Sequence, residues 1–456
     1  MASLQDRVLL PCGLVLPNRL VKSAMLEPFS GNNHIPDEQF KKLYSAWGKG
    51  EWGMILTGNV QVDPRHLGSP IDLCVDSAKI SDPEYRQAWK EYAQACAPGP
   101  VVMQINHPGR QTMAGAGTRG FTEKALAPSA VALKIGTGLL ERGLSVLLFG
   151  TLKAMSIPEI ELVIRQFTEA AKLAYDTGFD GVELHGAHGY LLAQFMSAKT
   201  NLRDDEFGGT AHKRVEIVIR IIKSIREATS PTFAIGMKIN SVDAAQSGDT
   251  NEAFVEQVQR IVDAGIDFLE VSGGTYENAD VRSFILNVAR EIDKSKQMAA
   301  TPSERTASRE AFFLEFAALI RQNFPSTILM VTGGFRSLEF MRNAVVGNKL
   351  DLIGLGRPAI LNPYIPRELL SGDVDPGKKF DAPEIRAPFP WNWIPIKIVG
   401  IGFQNLTTLL FYEGMVPEQN EGVGSLDTFL IGSTVSIRAR DMDMDYSTSA
   451  LLLVIH

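Results

Sequence analysis

The chain has 456 residues, 45% hydrophobic and 21% charged, the balance of an ordinary globular protein with enough apolar material for a sizeable core. Its net charge of −7 argues against nucleic acid as a partner, because phosphate binding wants a basic surface. No run of about 20 apolar residues is present, so no membrane-spanning helix is expected. The N-terminus lacks the basic end and apolar run of a secretory signal, and the cytoplasm is the expected location. The three cysteines, Cys12, Cys74 and Cys96, form no C-x-x-C pair and are expected to be free thiols in a reducing compartment.

Along the chain, short apolar runs alternate with stretches of helical periodicity. Strands are expected at 20–24, 54–57, 101–105, 181–184, 233–239, 268–272, 328–332 and 350–354. Helices are expected at 38–48, 83–97, 158–177, 213–228, 251–264, 309–323 and 338–346. Glycines such as Gly178 and Gly265 stand where left-handed helix ends are needed. Short, nearly all-apolar strands alternating with helices indicate a parallel sheet covered on both faces. The α/β fold class this implies is a (β/α)8 TIM barrel over residues 1–370. An open doubly wound sheet is weakened by the lack of a G-x-G-x-x-G turn after the first strand.

Two interruptions interest us. Residues 107–157 form a long insertion after the third strand, expected to be a lid or binding loop. Residues 246–250 are expected to be a further loop on the same face. A C-terminal extension, 371–456, begins rich in proline, includes an apolar segment at 396–415 suited to a packed helix or two, and turns irregular after Pro417, where disorder is one expectation.

Several strand ends carry chemistry-bearing residues. The seventh strand runs into Gly333-Gly334 and the eighth into Gly356-Arg357. These loops either turn the chain or cradle a phosphate, which barrels bind at this place. Gln104 offers an amide donor and acceptor together. Lys238 is either a salt-bridged lysine or a fixed cation. The fourth strand ends in His185-Gly186-Ala187-His188-Gly189-Tyr190. Histidines spaced by three could ligate zinc, but no third ligand is suggested, and no metal is expected. A structural pair or a clamp for an anionic oxygen remain open. His34, His66, His107, His212 and His456 stand without motif company. The segment 201–209 with Arg214 reads as a structural loop.

The stretch 180–190, its continuation through Gln194-Phe195, and Asn201-Leu202-Arg203-Asp204-Asp205-Glu206-Phe207-Gly208-Gly209 resemble the signature of the Old Yellow Enzyme family, the FMN-dependent ene-reductases. The resemblance covers most of 7–370. It implies FMN as cofactor and NADH or NADPH as co-substrate. It places Ser23, Ala24 and Met25 along the flavin, Thr57 and Gly58 near N5, Gln104 on the pyrimidine edge and Lys238 near N1 and O2. Gly333, Gly334, Gly356 and Arg357 would hold the phosphate. His185 and His188 would hold the carbonyl oxygen of a small-molecule acceptor, and Tyr190 would protonate its α carbon. Leu26 stands where the family often has Thr or Cys. Residues 308–316 and 393–411 resemble fungal paralogues, several of which serve secondary-metabolite pathways, and family precedent includes dimers. Two other readings stay open. One is a non-redox phosphate-binding lyase or isomerase, for which Lys238 is the obvious candidate although no carboxylate accompanies it in a recognisable motif. The other is a non-catalytic flavin-binding protein.

Overall fold

A computed structural model describes residues 2–27, 30, 33–133, 139–240, 249–272, 317–347, 349–371 and 380. Residues 246–248 of one expected loop, the first part of the helix expected at 309–323 and, apart from residues 371 and 380, the C-terminal extension lie outside them.

Eight parallel strands close into a barrel. They are β1 (Leu20–Lys22), β2 (Met54–Leu56), β3 (Val101–Asn106), β4 (Gly181–Gly186), β5 (Ala234–Asn240), β6 (Phe268–Ser272), β7 (Leu329–Thr332) and β8 (Leu352–Leu355). Each pairs with the next, and β8 returns to β1 through Gly354 opposite Val21. Every one of these strands is buried almost throughout, because helices cover the outside and side chains fill the inside. The lower interior is apolar: Val21, Met54, Leu56, Val102, Ala234, Phe268, Met330 and Leu352 form one cluster. A short N-terminal hairpin, Val8–Leu9 against Val15–Leu16, adds Val8, Leu10 and Leu16 to it. Each large member contributes on the order of 1.5–3 kcal/mol by leaving water. The bottom is thereby closed, and the C-terminal end of the strands is the mouth.

The helices start where the sequence supplies caps. Asp37 and Asp82 accept backbone N–H bonds at the starts of Glu38–Gly48 and Pro83–Ala95. Ser156 and Glu159 form a capping box for Ile157–Thr177, which ends at Gly178 with φ +94°. The helix expected at 213–228 is two helices, Ala211–Arg214 and Glu216–Ala228, divided at Val215.

The insertion after β3 is more than a loop. It holds a 3-10 turn (Gly109–Gln111), two short parallel strands (Ala125–Ala127 and Leu152–Ala154) and a helix (Leu139–Phe149). Burial of Leu126, Leu148 and Phe149 explains why the segment orders itself. Two further short strands, Val60–Gln61 and Leu73–Cys74, were not anticipated. The first pairs with the end of β3, Val60 opposite Ile105 and Gln61 opposite Asn106.

Gly236, in the middle of β5, faces Phe268, and a Cβ there would fall inside the buried Phe268 ring. Gly236→Ala is therefore expected to destabilise the barrel by about 1–3 kcal/mol, read as a melting temperature lower by several degrees. An unchanged or raised melting temperature would mean that the interior is not packed in this way.

Candidate active site

At the mouth, β4 delivers His185 and the following turn delivers His188 and Tyr190. His188 has φ +57°, a left-handed conformation that non-glycine residues adopt at a cost of about 1–2 kcal/mol. Gln111 Nε2, from the insertion, donates to its carbonyl oxygen at 2.8 Å and helps hold the turn. The His185 and Tyr190 rings meet edge to face, with centroids 4.7 Å apart. His185 Nε2 and His188 Nδ1 are 3.3 Å apart, and His188 Nε2 lies 3.3 Å from Ser272 Oγ on β6. The Ala187 N–H donates to His185 Nδ1 at 3.3 Å. In the neutral ring the proton then sits on Nε2 and points at His188 Nδ1, leaving the His188 Nε2 proton for Ser272. Burial first, and then the neighbouring His188 and Lys238, hold the His185 imidazole well below its usual range, in the neutral form. The structure thus brings the three expected residues together, but the imidazole protons run along a relay that ends on Ser272.

Below them lies a polar layer. On the inner face of β3, Gln104 Nε2 donates to Glu183 Oε2 of β4 at 2.6 Å. On β5, Lys238 Nζ donates to Glu270 Oε1 of β6 at 2.9 Å. Ser23 Oγ of β1 and Thr332 Oγ1 of β7 are 2.9 Å apart. Gly354 on β8 makes room for that last pair, since a Cβ there would collide with both hydroxyls. Lys238 therefore does have a carboxylate companion, which spacing in the sequence did not suggest. The ammonium is buried and ion-paired, the opposite of what a Schiff-base nucleophile requires.

The ends of β1 and β2 are fixed from outside the barrel. Lys22 Nζ donates to Glu27 Oε1 (2.9 Å), Tyr44 Oη (3.2 Å) and the Leu56 carbonyl (3.0 Å), and lies over the Trp47 ring. Tyr44 Oη donates to Glu27 Oε2 at 2.6 Å and accepts from the Gly58 N–H at 2.9 Å. Thr57 Oγ1 accepts from the Gln104 N–H at 3.0 Å, linking β2 to β3. A Cβ on Gly58 would strike the Met25 carbonyl, so only glycine lets these two strand ends approach. Ala24 and Met25 are half-buried at the rim. After β7 and β8, which adjoin β1, Gly333 and Gly334 have φ +114° and +82°, and Gly356 precedes the short helix Arg357–Leu361, on which Arg357 is exposed.

The loop 201–209 is held by backbone carbonyls. Asn201 Nδ2 reaches the carbonyls of Phe195 and Phe207 at 2.7 Å, and Arg203 Nη1 reaches those of Pro128 and Met155. Arg214 ties the same loop to Met196 and Gly209.

Sequence reasoning missed Glu183, Glu270, Ser272 and one whole cluster. Glu183 and Glu270 each interrupt an apolar strand two residues before its polar end, and that signal could have found them. The cluster joins Asp63, His66 and His107, all buried, at the end of β3 and its added neighbour. It overturns the view of His66 and His107 as histidines without company. His66 Nδ1 lies 2.7 Å and His107 Nε2 3.8 Å from Asp63 Oδ2. Burial raises the Asp63 carboxyl, but the two imidazoles outweigh it and hold the group well below the usual carboxylate range. The donor set is of metal-binding type. However, His107 Nδ1 accepts from the Gly109 N–H at 3.0 Å, which leaves the proton on Nε2, the nitrogen a metal would need bare. The cluster is a hydrogen-bonded anchor, and the same loop also binds the insertion through Pro64 and Leu67 carbonyls.

A model of the NADH:flavin oxidoreductase / NADH oxidase family matches residues 13–373. The chain is 45% identical over 413 residues to the NADH-dependent flavin oxidoreductase iliE of Neonectria sp. (strain DH2), covering 87% of this chain and 52% of that protein. It is 42% identical over 406 residues to the NADH-dependent flavin oxidoreductase iccE of Talaromyces variabilis, covering 88% and 94%. It thus spans about half the length of the Neonectria relative and nearly all of the Talaromyces one. Among solved structures, the Old Yellow Enzyme homologue from Zymomonas mobilis matches with a TM-score of 0.63 at 20% identity, over 87% of this chain and 99% of that one, a likeness of fold. With the family model over most of its length and these relatives beside it, the chain belongs to the NADH:flavin oxidoreductase / NADH oxidase family, the Old Yellow Enzyme family of FMN-dependent oxidoreductases that use NAD(P)H.

Proposed function

We propose that the protein is an NADH-dependent FMN oxidoreductase that reduces a C=C bond activated by a neighbouring carbonyl, in an enone-type or quinone-like acceptor. The observation that carries this reading is the His185–His188–Tyr190 cluster at the end of β4, beside a polar layer at the barrel mouth. Both fungal relatives above are named NADH-dependent, which favours NADH over NADPH.

The residues fit FMN in three respects. Positive-φ glycines after β7 and the glycine before Arg357 supply close backbone approach and a cation for a phosphate. Gly58 keeps the β2 rim flat beside Met25. Gln104 on β3 and Lys238 on β5 offer an amide and a cation at the barrel interior. FMN held by these residues would supply hydride transfer from NADH to the acceptor.

The chain's own work is to hold and polarise the acceptor. Neutral His185 donates a hydrogen bond without losing its proton, so an acceptor oxygen between the two imidazoles gains polarisation rather than a full proton. The contacts at 3.3 Å to His188 and Ser272 are long, and an acceptor oxygen can replace them at small cost. Tyr190, packed on His185, is the group we assign to deliver a proton to the α carbon. A phenol with a reference pKa near 10 is protonated at neutral pH, as a general acid requires.

Purified protein should be yellow, should bleach anaerobically with NADH, and should regain colour on addition of cyclohexenone. Colourless protein that cannot take up added FMN would overturn the reading. Tyr190→Phe should leave bleaching by NADH unchanged and slow recolouring by the enone about 10²–10⁴-fold; recolouring at the unmodified rate in stopped-flow would remove Tyr190 from that role.

His185 is held neutral by burial, so its folded pKa lies below the unfolded value near 6.5. Below that pH the unfolded chain binds more protons, and stability falls as the pH drops. His185→Gln should remove its share of that loss, up to about 1.4 kcal/mol per pH unit. Urea denaturation between pH 7 and pH 5 measures it, and equal slopes in both proteins would mean that His185 titrates as it does in the unfolded chain.

A further inference from the structure

The barrel interior holds two carboxyls and one lysine within one set of contacts. Glu183 and Glu270 are fully buried, and their carboxyl groups lie close enough to repel one another. Glu183 Oε2 is taken by Gln104 and Glu270 Oε1 by Lys238. The remaining oxygens, Glu183 Oε1 and Glu270 Oε2, are buried without a hydrogen bond of ordinary geometry, although the Thr332 hydroxyl also acts on the Glu270 carboxyl. Two carboxylates set against each other out of water repel unless a proton lies between them. The charge balance demands the same: one ammonium cannot neutralise two ionised carboxylates taken out of water.

We propose that Glu183 and Glu270 share a single proton at neutral pH, and that this pair is a positioning element which keeps one negative charge against Lys238 and holds the Gln104 amide in place under the flavin. The part that concerns the flavin rests on the function proposed above. The surroundings agree on which partner is protonated. Burial, then the charge of Glu270, pushes the Glu183 carboxyl well above its usual range. Burial also raises Glu270, but the charge of Lys238 and the hydrogen bond from Glu183 outweigh it and bring that carboxyl below its usual range. The other polar groups facing the pair are Gln104 on β3, Lys238 on β5 and Thr332 on β7, and of these only Lys238 carries a charge opposite to theirs.

A shared proton has a consequence that two independent acids lack. If either carboxyl is replaced by glutamine, the new amide N–H takes the place of the proton, and the remaining carboxyl carries the single negative charge. Glu183→Gln and Glu270→Gln should therefore each leave the two-electron potential of bound FMN nearly unchanged. The double variant should leave Lys238 uncompensated and favour the reduced flavin at least tenfold, a rise of about 30 mV or more.

Infrared difference spectra report the proton itself, with or without flavin. The unmodified protein should show a carboxylic C=O band at neutral pH that shifts in D2O and is absent from both single variants. No such band, or potentials that rise additively through the two single variants, would overturn the proposal. If the variants fail to fold, absence of any D2O-sensitive carboxylic band from the unmodified protein at pH 8 overturns it equally. A band in protein that cannot bind FMN would overturn the flavin function above while supporting the shared proton.

Discussion

The upper half of this barrel depends on one constraint: charge placed inside a closed sheet must be balanced there. Lys238 can project inward from β5 because Glu270 stands opposite it on β6, at 2.9 Å. An ammonium left alone there would face a desolvation penalty of several kcal/mol. Gln104 meets Glu183 on the neighbouring strands, and Ser23 meets Thr332 further round the ring. The parallel register makes these meetings possible, since Gln104 is opposite Glu183 and Lys238 opposite Glu270. Glycine completes the layer at Gly354, where a side chain would displace the two hydroxyls.

A second buried ion pair does similar work outside the sheet. Lys22 and Glu27, with Tyr44, reach the Leu56 carbonyl and the Gly58 N–H and so determine where the first two strands end. The rim is then rigid on that side. On the opposite side, the β4 turn is held in a left-handed conformation at His188 with help from Gln111 of the insertion. The insertion is itself tied down by the loop bearing Asp63 and His66. A segment that reads as a lid is thus part of the wall that shapes the imidazole pair.

Much of this was legible in the chain. The eight strands lie within a few residues of their expected positions because short, continuous apolar runs between amphipathic helices have few other ways to bury themselves. The cluster of His185, His188 and Tyr190 was visible because chemistry at a barrel mouth concentrates at strand ends. The bounds of the insertion were visible too, but its internal helix and strands were not: they depend on Leu126, Leu148 and Phe149 finding a surface to bury against.

What the sequence determined by itself is local: the alternation of strand and helix, the caps, the glycines at positive φ, and the residue types at each strand end. What only the tertiary structure decided is which of those residues meet. Asp63 and His107 are far apart in the chain yet meet in one buried cluster, and Ser23 and Thr332 are 2.9 Å apart although they come from near opposite ends of the barrel sequence. Glu183 and Glu270 are ordinary acidic residues in the sequence. Closing the sheet removes both from water and sets them against one another, and in that low-dielectric interior their protonation and the charge left on Lys238 become a property of the group. Periodicity along a chain carries the direction of a side chain but not its distance from one on another strand, and electrostatics depends on that distance.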